Sequence, residues 1–144
     1  EMSGKPDLTR IELKNKYSMT KAYGISKLYI IWVMRHFVTE MKNAGINNIT
    51  FNTVHPASAR TSLGRESTKS LKYKIITYLW TPMLISVAKG ASSSIKAAIS
   101  PELEGITGKY YSPKGEDKVN EKYYSPDNEK AVWDYCKTIT KDYL

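Results

Sequence analysis

A tyrosine and a lysine four residues apart are the first candidates for chemistry in this sequence. Tyr23 and Lys27 lie in the stretch KAYGISKLYIIWVM, with Ser26 directly before the lysine. On a helix, residues at this spacing lie one above the other on the same face. A free phenol titrates near ~10 and is a poor base at neutral pH, and a neighbouring ammonium favours its ionised form. The pair is a candidate for proton transfer, although the spacing alone favours an ordinary amphipathic helix.

Hydrophobic periodicity predicts the helix that carries this pair. From about residue 18 to residue 43, apolar residues recur at spacings of three and four. Ser18 or Thr20 can cap its start, and Gly45 follows its last turn. So broad an apolar stripe predicts burial on more than one side, or an oligomer contact through this helix. The stripe consists of Leu28, Ile31, Met34, Val38 and Met41, broadened by Ile30, Val33 and Phe37.

A strand and further helices are predicted after this helix. Residues 49–54 are rich in β-branched and aromatic side chains and are closed by Pro56, which is typical of a strand. The small, polar stretch ASARTSLGRES predicts a loop at the end of this strand, where ligands bind in open α/β sheets. Helical patterns follow at 68–99, divided near Pro82, and at 127–138, with a short strand in GITGKYYS between them. This order of elements predicts an α/β protein.

Composition narrows the class of protein. The chain has 144 residues, 41% hydrophobic and 25% charged, as expected for one globular domain. Its net charge of +8 is scattered and accompanies no zinc-finger or RNP-like pattern, so neither a nucleic-acid partner nor a metal site is expected. The single cysteine, Cys136, suits a reducing compartment, and no apolar stretch approaches the ~20 residues of a membrane span. We expect a cytoplasmic protein, and the basic, aromatic stretch LKYKIITYLWTPMLISV leaves contact with a membrane surface as an alternative.

Several ordered motifs together are similar to those of the short-chain dehydrogenase/reductase family, in its retinol-dehydrogenase-like branch. They are YGISKL, the strand ITFNTV and HPASARTSL, followed by VAKGASSSIKAAI, GKYYS and AVWDYCKTIT. The resemblance covers nearly the whole chain. It implies the C-terminal half of a Rossmann-like, doubly wound parallel sheet in three α/β/α layers, with residues 1–144 forming the catalytic-helix and substrate-binding part of a single domain.

The resemblance implies roles for particular residues. Tyr23 would be the general acid/base that interconverts an alcohol and a carbonyl. Lys27 would support the tyrosine and hydrogen-bond the nicotinamide ribose of the cofactor, NADP or NAD, and both side chains would contact that cofactor. The nicotinamide would be lined by Pro56, Ala57, Ala59 and Thr61. Ala57 stands where the family has glycine, a departure that stiffens the turn and could shift the backbone beside the nicotinamide.

An apolar small-molecule alcohol or carbonyl is the substrate that the resemblance implies. Residues 62–87 would form the substrate-binding segment, and Tyr73, Leu79 and Trp80 are its predicted lining residues. Core or dimer packing is an equal interpretation for these side chains.

The family's dinucleotide-binding half has no counterpart in this sequence. No three of the eight glycines have the spacing of a pyrophosphate-binding turn, and Ser3 is the nearest candidate for the catalytic serine. We therefore expect an incomplete fragment that is inactive alone because its N-terminal half is absent. The alternative function is a catalytically inactive relic or interaction module.

Overall fold

The computed structural model describes residues 5–13, 17–60 and 71–143, and for residues 71–73 and 76–77 it describes the backbone only. By contact the chain divides into two compact units, unit 1 (Glu1–Phe51 and Val119–Leu144) and unit 2 (Asn52–Lys118). The helices of the described residues are α1 (Met19–Asn43), α2 (Leu71–Trp80), α3 (Val87–Ile99) and α4 (Pro126–Thr140). The strands are β1 (Thr53–Val54), β2 (Tyr110–Ser112) and β3 (Gly115–Glu116).

The bounds of α1, in unit 1, confirm the predicted helix and its stop signal. The helix starts after Ser18, whose backbone is extended but whose side chain makes no capping hydrogen bond. At the other end Gly45 has a φ of +76°, a left-handed conformation that glycine adopts without a steric penalty. The N–H of Gly45 donates to the carbonyl of Lys42, and the N–H of Ile46 to that of Met41, both at 3.0 Å. These two bonds form a Schellman motif, which satisfies carbonyls that the helix end would leave unpaired.

The core of unit 1 lies between α1 and α4. Ile25 and Trp32 on α1 and Val132 on α4 are almost completely buried. Trp32 lies 5.7 Å from the ring of Tyr29 and 6.2 Å from that of Tyr124 between centroids. The predicted stripe is therefore not the most buried face: its residues are half-buried, and Ile30 is 48% exposed. α1 packs against α4, and Trp32 is enclosed by Tyr29 and Tyr124, so packing rather than apolar periodicity alone decides which residues are most buried.

Unit 2 contains a small mixed sheet in the order β1-β2-β3. β1 pairs with β2 in parallel, with Thr53 opposite Tyr110, and β2 pairs with β3 antiparallel. α3 lies on the same unit and contacts both β1 and β2, so β1, α3 and β2 form a parallel strand–helix–strand unit. The predicted strand at 49–54 was too long, because within the described residues a neighbouring strand pairs only with Thr53 and Val54. The architecture is mixed α/β and fits part of a Rossmann-like fold.

The helices of unit 2 follow the predicted division near Pro82. α2 ends at Trp80, a short 3-10 turn spans Thr81–Met83, and α3 begins after Ser86, whose side chain accepts a hydrogen bond from the Lys89 N–H. Across the described parts of both units, no helix combines the length and the apolar character needed to cross a lipid bilayer.

Candidate active site

Tyr23 and Lys27 share one face near the start of α1, in unit 1. The Lys27 Nζ lies 5.4 Å from the centroid of the Tyr23 ring, within cation–π distance. Tyr23 is 66% exposed, and within the described residues its hydroxyl makes no hydrogen bond and Lys27 forms no ion pair. The Ser26 hydroxyl is occupied locally, because it donates to the carbonyl of Tyr23 at 2.8 Å. Among the described residues, the pair therefore has a phenol hydroxyl without a hydrogen-bond partner and an ammonium without an acidic partner.

The predicted cofactor-lining loop follows β1 in unit 2, and Ala57 is its unusual residue. Ala57 has a φ of +55°, so an alanine adopts the left-handed conformation that favours glycine. A non-glycine residue in this region costs about 1–2 kcal/mol. The backbone thus has a glycine-like conformation at the position where the resemblance predicts glycine. Pro56 and Ala57 are exposed, and Ala59 is half-buried.

Two backbone hydrogen bonds hold the far side of this loop. The N–H of Ile85 donates to the carbonyl of Ser58 at 3.0 Å, and the N–H of Arg60 donates to the carbonyl of Ile85 at 2.9 Å. They place Ala59 in a parallel bridge with Ile85, directly before α3. The loop is therefore tied to the segment that leads into α3.

Gly90 brings α3 close to the same loop. A Cβ atom at Gly90 would lie 3.1 Å from the Cβ of Ala59 and 3.2 Å from the carbonyl oxygen of Pro56. Gly90 is buried, and a methyl group there would need its neighbours to shift by a few tenths of an ångström, so the helix packs closely against the loop. Gly90 was not among the predicted site residues. A glycine inside an otherwise helical pattern was the available signal.

His55 lies between β1 and the loop and was also not assigned to the site. Its Nδ1 accepts a hydrogen bond from the Ala57 N–H at 3.0 Å. Its Nε2 lies 3.8 Å from the Oδ2 of Asp117, and its ring stacks on Tyr110 with centroids 5.3 Å apart. Burial, assisted by the Asp117 carboxylate, raises the pKa of Tyr110, so this phenol stays neutral beside the imidazole. A histidine directly before the proline of the loop was the sequence signal.

The predicted substrate residues lie on α2 or outside the described side chains. Leu79 is 69% and Trp80 is 50% exposed, so neither is a core residue in the part of the chain that the structure describes. The side chain of Tyr73 and all of Thr61 lie outside the described residues.

A cavity in unit 1 lies apart from the predicted site residues. A cavity of about 350 Å³ in unit 1 is lined by residues 8–13 and Tyr135, and none of its lining residues belongs to the predicted site. Over the described residues, no group of three or more His, Cys, Asp or Glu side chains is arranged to hold a metal ion.

Curated dehydrogenases are similar to this chain in sequence. Short-chain dehydrogenase TIC 32 B, chloroplastic, of Brassica napus is 33% identical over 100 residues, which are 68% of this chain and 30% of that protein. Retinol dehydrogenase 14 of Homo sapiens is 31% identical over 123 residues, 84% of this chain and 35% of the relative. Its counterpart from Mus musculus is 26% identical over 137 residues, 91% and 39% of the two chains.

The chain spans about a third of the length of these relatives. No protein-family model matches it, and no solved structure matches it either.

Proposed function

Because the chain belongs to the short-chain dehydrogenase/reductase family, we propose that it is the catalytic-helix part of an NAD(P)-dependent oxidoreductase that interconverts an alcohol and a carbonyl. The printed names of its relatives, short-chain dehydrogenase and retinol dehydrogenase, support an oxidoreductase of this family. The complete three-layer sheet, with a dinucleotide-binding half, belongs to the same proposal. Its support is the parallel β1–β2 pair and the share of the relatives that this chain spans.

The observation that carries the proposal is the Tyr23–Lys27 pair. Tyr23 presents an exposed hydroxyl that is free within the described chain, and the Lys27 ammonium stands over the same ring. A positioned phenol hydroxyl can act as a general acid/base, giving up a proton and taking one back. Tyr23 would donate its proton to a carbonyl oxygen during reduction and accept the proton of the hydroxyl during oxidation. Ser26 takes no part, since its hydroxyl is bonded to the helix backbone.

Taken separately in each unit, the chemistry of the predicted cofactor residues suits a nicotinamide cofactor, NADP or NAD. Lys27 has an ammonium without an acidic partner among the described residues, and its three donors suit ribose hydroxyls. Pro56 and Ala57 expose apolar surface and backbone groups on a loop that α3 holds in place, which suits a flat ring. We assign the nicotinamide side to Pro56, Ala57 and Ala59 together with Thr61. When bound, the cofactor would supply or take the hydride.

The substrate that we propose is apolar. Leu79 and Trp80 expose large apolar side chains on α2, and we assign them, with Tyr73, to the binding of the substrate. Two of the relatives carry retinol in their names, and retinol is an apolar alcohol. A cytoplasmic location, contact with a membrane surface and pairing of two copies through residues 18–43 stay predictions.

Substitution of Tyr23 tests the function. The assay uses the full translation product of the gene that encodes this chain. Turnover is measured with NADH and with NADPH on retinoid, steroid and aliphatic carbonyls. Tyr23→Phe should lower kcat by about 10²–10⁴-fold, the usual contribution of a positioned acid/base, with cofactor affinity retained. Tyr29→Phe is the control, because Tyr29 lies on the same helix and packs on Trp32.

Two outcomes would contradict the proposal. Full turnover by Tyr23→Phe would remove the tyrosine from the reaction. Absence of both cofactor binding and turnover in the wild type would favour the inactive relic or interaction module instead. Calorimetric titration with NAD and NADP separates these cases, since it reads binding without chemistry.

A further inference from the structure

The left-handed conformation of Ala57 needs something to hold it. Such backbone conformations persist in residues other than glycine when the surroundings over-determine them. The bonds of Ser58 and Arg60 to Ile85 restrain only the far side of the turn. On the near side, α3 packs against Pro56, and within the described residues Ala57 itself is restrained by the hydrogen bond from its N–H to Nδ1 of His55 at 3.0 Å.

His55 is itself held from several directions within unit 2. Its N–H donates to the carbonyl of Tyr111 at 2.9 Å, which continues the register of the parallel pair. Tyr110 stacks on the imidazole with an interplanar angle of 21°, and the Asp117 carboxylate lies 3.8 Å from Nε2. From α3, the hydroxyl of Ser93 approaches the His55 carbonyl at 3.4 Å. The ring therefore presents Nδ1 to the turn as a fixed acceptor.

We propose that His55 is a positioning residue, whose Nδ1 holds the left-handed turn at Ala57 and thereby shapes the loop for the nicotinamide ring. The geometry resembles an Asx turn, in which a side-chain oxygen accepts the N–H two residues further on. Because Nδ1 accepts, the proton of the neutral ring is on Nε2, on the side of Asp117. The proposal rests on the proposed function, and it assigns to His55 a role that the Tyr23–Lys27 chemistry does not include.

Four variants of the full translation product test this role. His55→Phe keeps a ring for stacking on Tyr110 but has no acceptor, and His55→Asn keeps an acceptor near the position of Nδ1. Ala57→Gly removes the need for a restraint, because glycine adopts a positive φ freely. The fourth variant combines His55→Phe with Ala57→Gly. The measured quantities are the dissociation constants of NADH and NADPH, together with kcat and cofactor KM.

This role of His55 predicts how the cofactor affinities of the four variants should differ. His55→Phe should raise the cofactor dissociation constant and KM about fivefold, the effect of one net hydrogen bond, with kcat changed less than twofold. His55→Asn should retain most of the wild-type affinity. In the Ala57→Gly background, His55→Phe should change affinity less than twofold. If instead the loss persists at its full size in that background, or His55→Asn weakens binding as much as His55→Phe, the proposal is wrong.

Amide hydrogen exchange at Ala57 separates this proposal from the function on which it rests. Measured without cofactor, the Ala57 N–H should exchange slowly in the wild type and in His55→Asn, and faster in His55→Phe. If His55→Phe does not fold, His55→Gln takes its place. The glutamine amide lies one methylene further from the backbone, so it leaves no acceptor at the position of Nδ1. A wild type that binds neither cofactor but shows this pattern keeps the turn and overturns only the function. Equal exchange rates in all variants overturn the role of His55 even if the enzyme is active.

Discussion

The close approach of α3 to the cofactor-lining loop leads to a prediction for Gly90→Ala whose sign is not obvious. Alanine is favoured over glycine inside a helix by about 0.8–1 kcal/mol, so propensity alone predicts a more stable protein. The new methyl group would lie 3.1 Å from the Cβ of Ala59 and 3.2 Å from the carbonyl oxygen of Pro56. Carbon atoms in good contact are separated by about 3.5–4.0 Å, so the loop or the helix must move by a few tenths of an ångström.

Movement of the loop is restricted by its own hydrogen bonds. Ser58 and Arg60 are tied to Ile85, and Ala57 is tied to His55. Forcing an extra methyl group into a well-packed site typically costs about 1–3 kcal/mol. Subtracting the gain in helix propensity leaves a net loss, and we expect Gly90→Ala to lower the free energy of unfolding by about 1 kcal/mol.

Urea denaturation followed by circular dichroism measures this change. Ser94→Ala is the control for helix propensity, because it leaves an alanine on the exposed side of the same helix, where its side chain meets no loop. Propensity should raise the stability of that variant by up to about 0.5 kcal/mol. A Gly90→Ala protein that gains as much stability as the control would refute the argument, since the loop would then yield without resistance.

Two further predictions concern carboxylates in the two units. Glu129 is 8% exposed and lies 3.1 Å from the Nδ1 of His36, so Glu129→Gln should lower the free energy of unfolding, measured by urea denaturation, by about 1.5–3 kcal/mol. Glu40→Gln is the control, because Glu40 is half exposed and lies 3.9 Å from the other nitrogen of the same ring. It should change the free energy of unfolding by less than about 0.5 kcal/mol. A hydrogen bond from the Lys118 N–H lowers the pKa of Asp117 in the folded protein. The ionised carboxylate therefore stabilises the fold fully above its unfolded-state pKa near ~3.9, and this contribution is lost as the pH falls through the pKa of the folded state. Denaturation at a series of pH values should therefore show the advantage of the wild type over Asp117→Asn shrinking below about pH 4, and a constant difference would contradict this assignment.

Local patterns predicted the helices well, and the strand less well. The spacing of apolar residues and the position of Gly45 located α1 and its end, because helical hydrogen bonds and the Schellman motif join residues that are close in sequence. The strand at 49–54 was over-predicted, because a strand exists only where another strand pairs with it. Its partner, β2, lies more than fifty residues further along the chain and reaches only Thr53 and Val54.

In the candidate site, too, one part was predictable from local sequence and another part was not. The sequence by itself determined that Tyr23 and Lys27 share a helix face, since residues four apart on any helix do so. Only the tertiary structure decided the conformation of the loop after β1. Ala57 is left-handed and its N–H donates to His55, whose imidazole is held by Tyr110 and Asp117 from a distant part of the chain. The contacts of Tyr110 and Asp117 with His55 depend on how separate segments pack, and no local spacing encodes them.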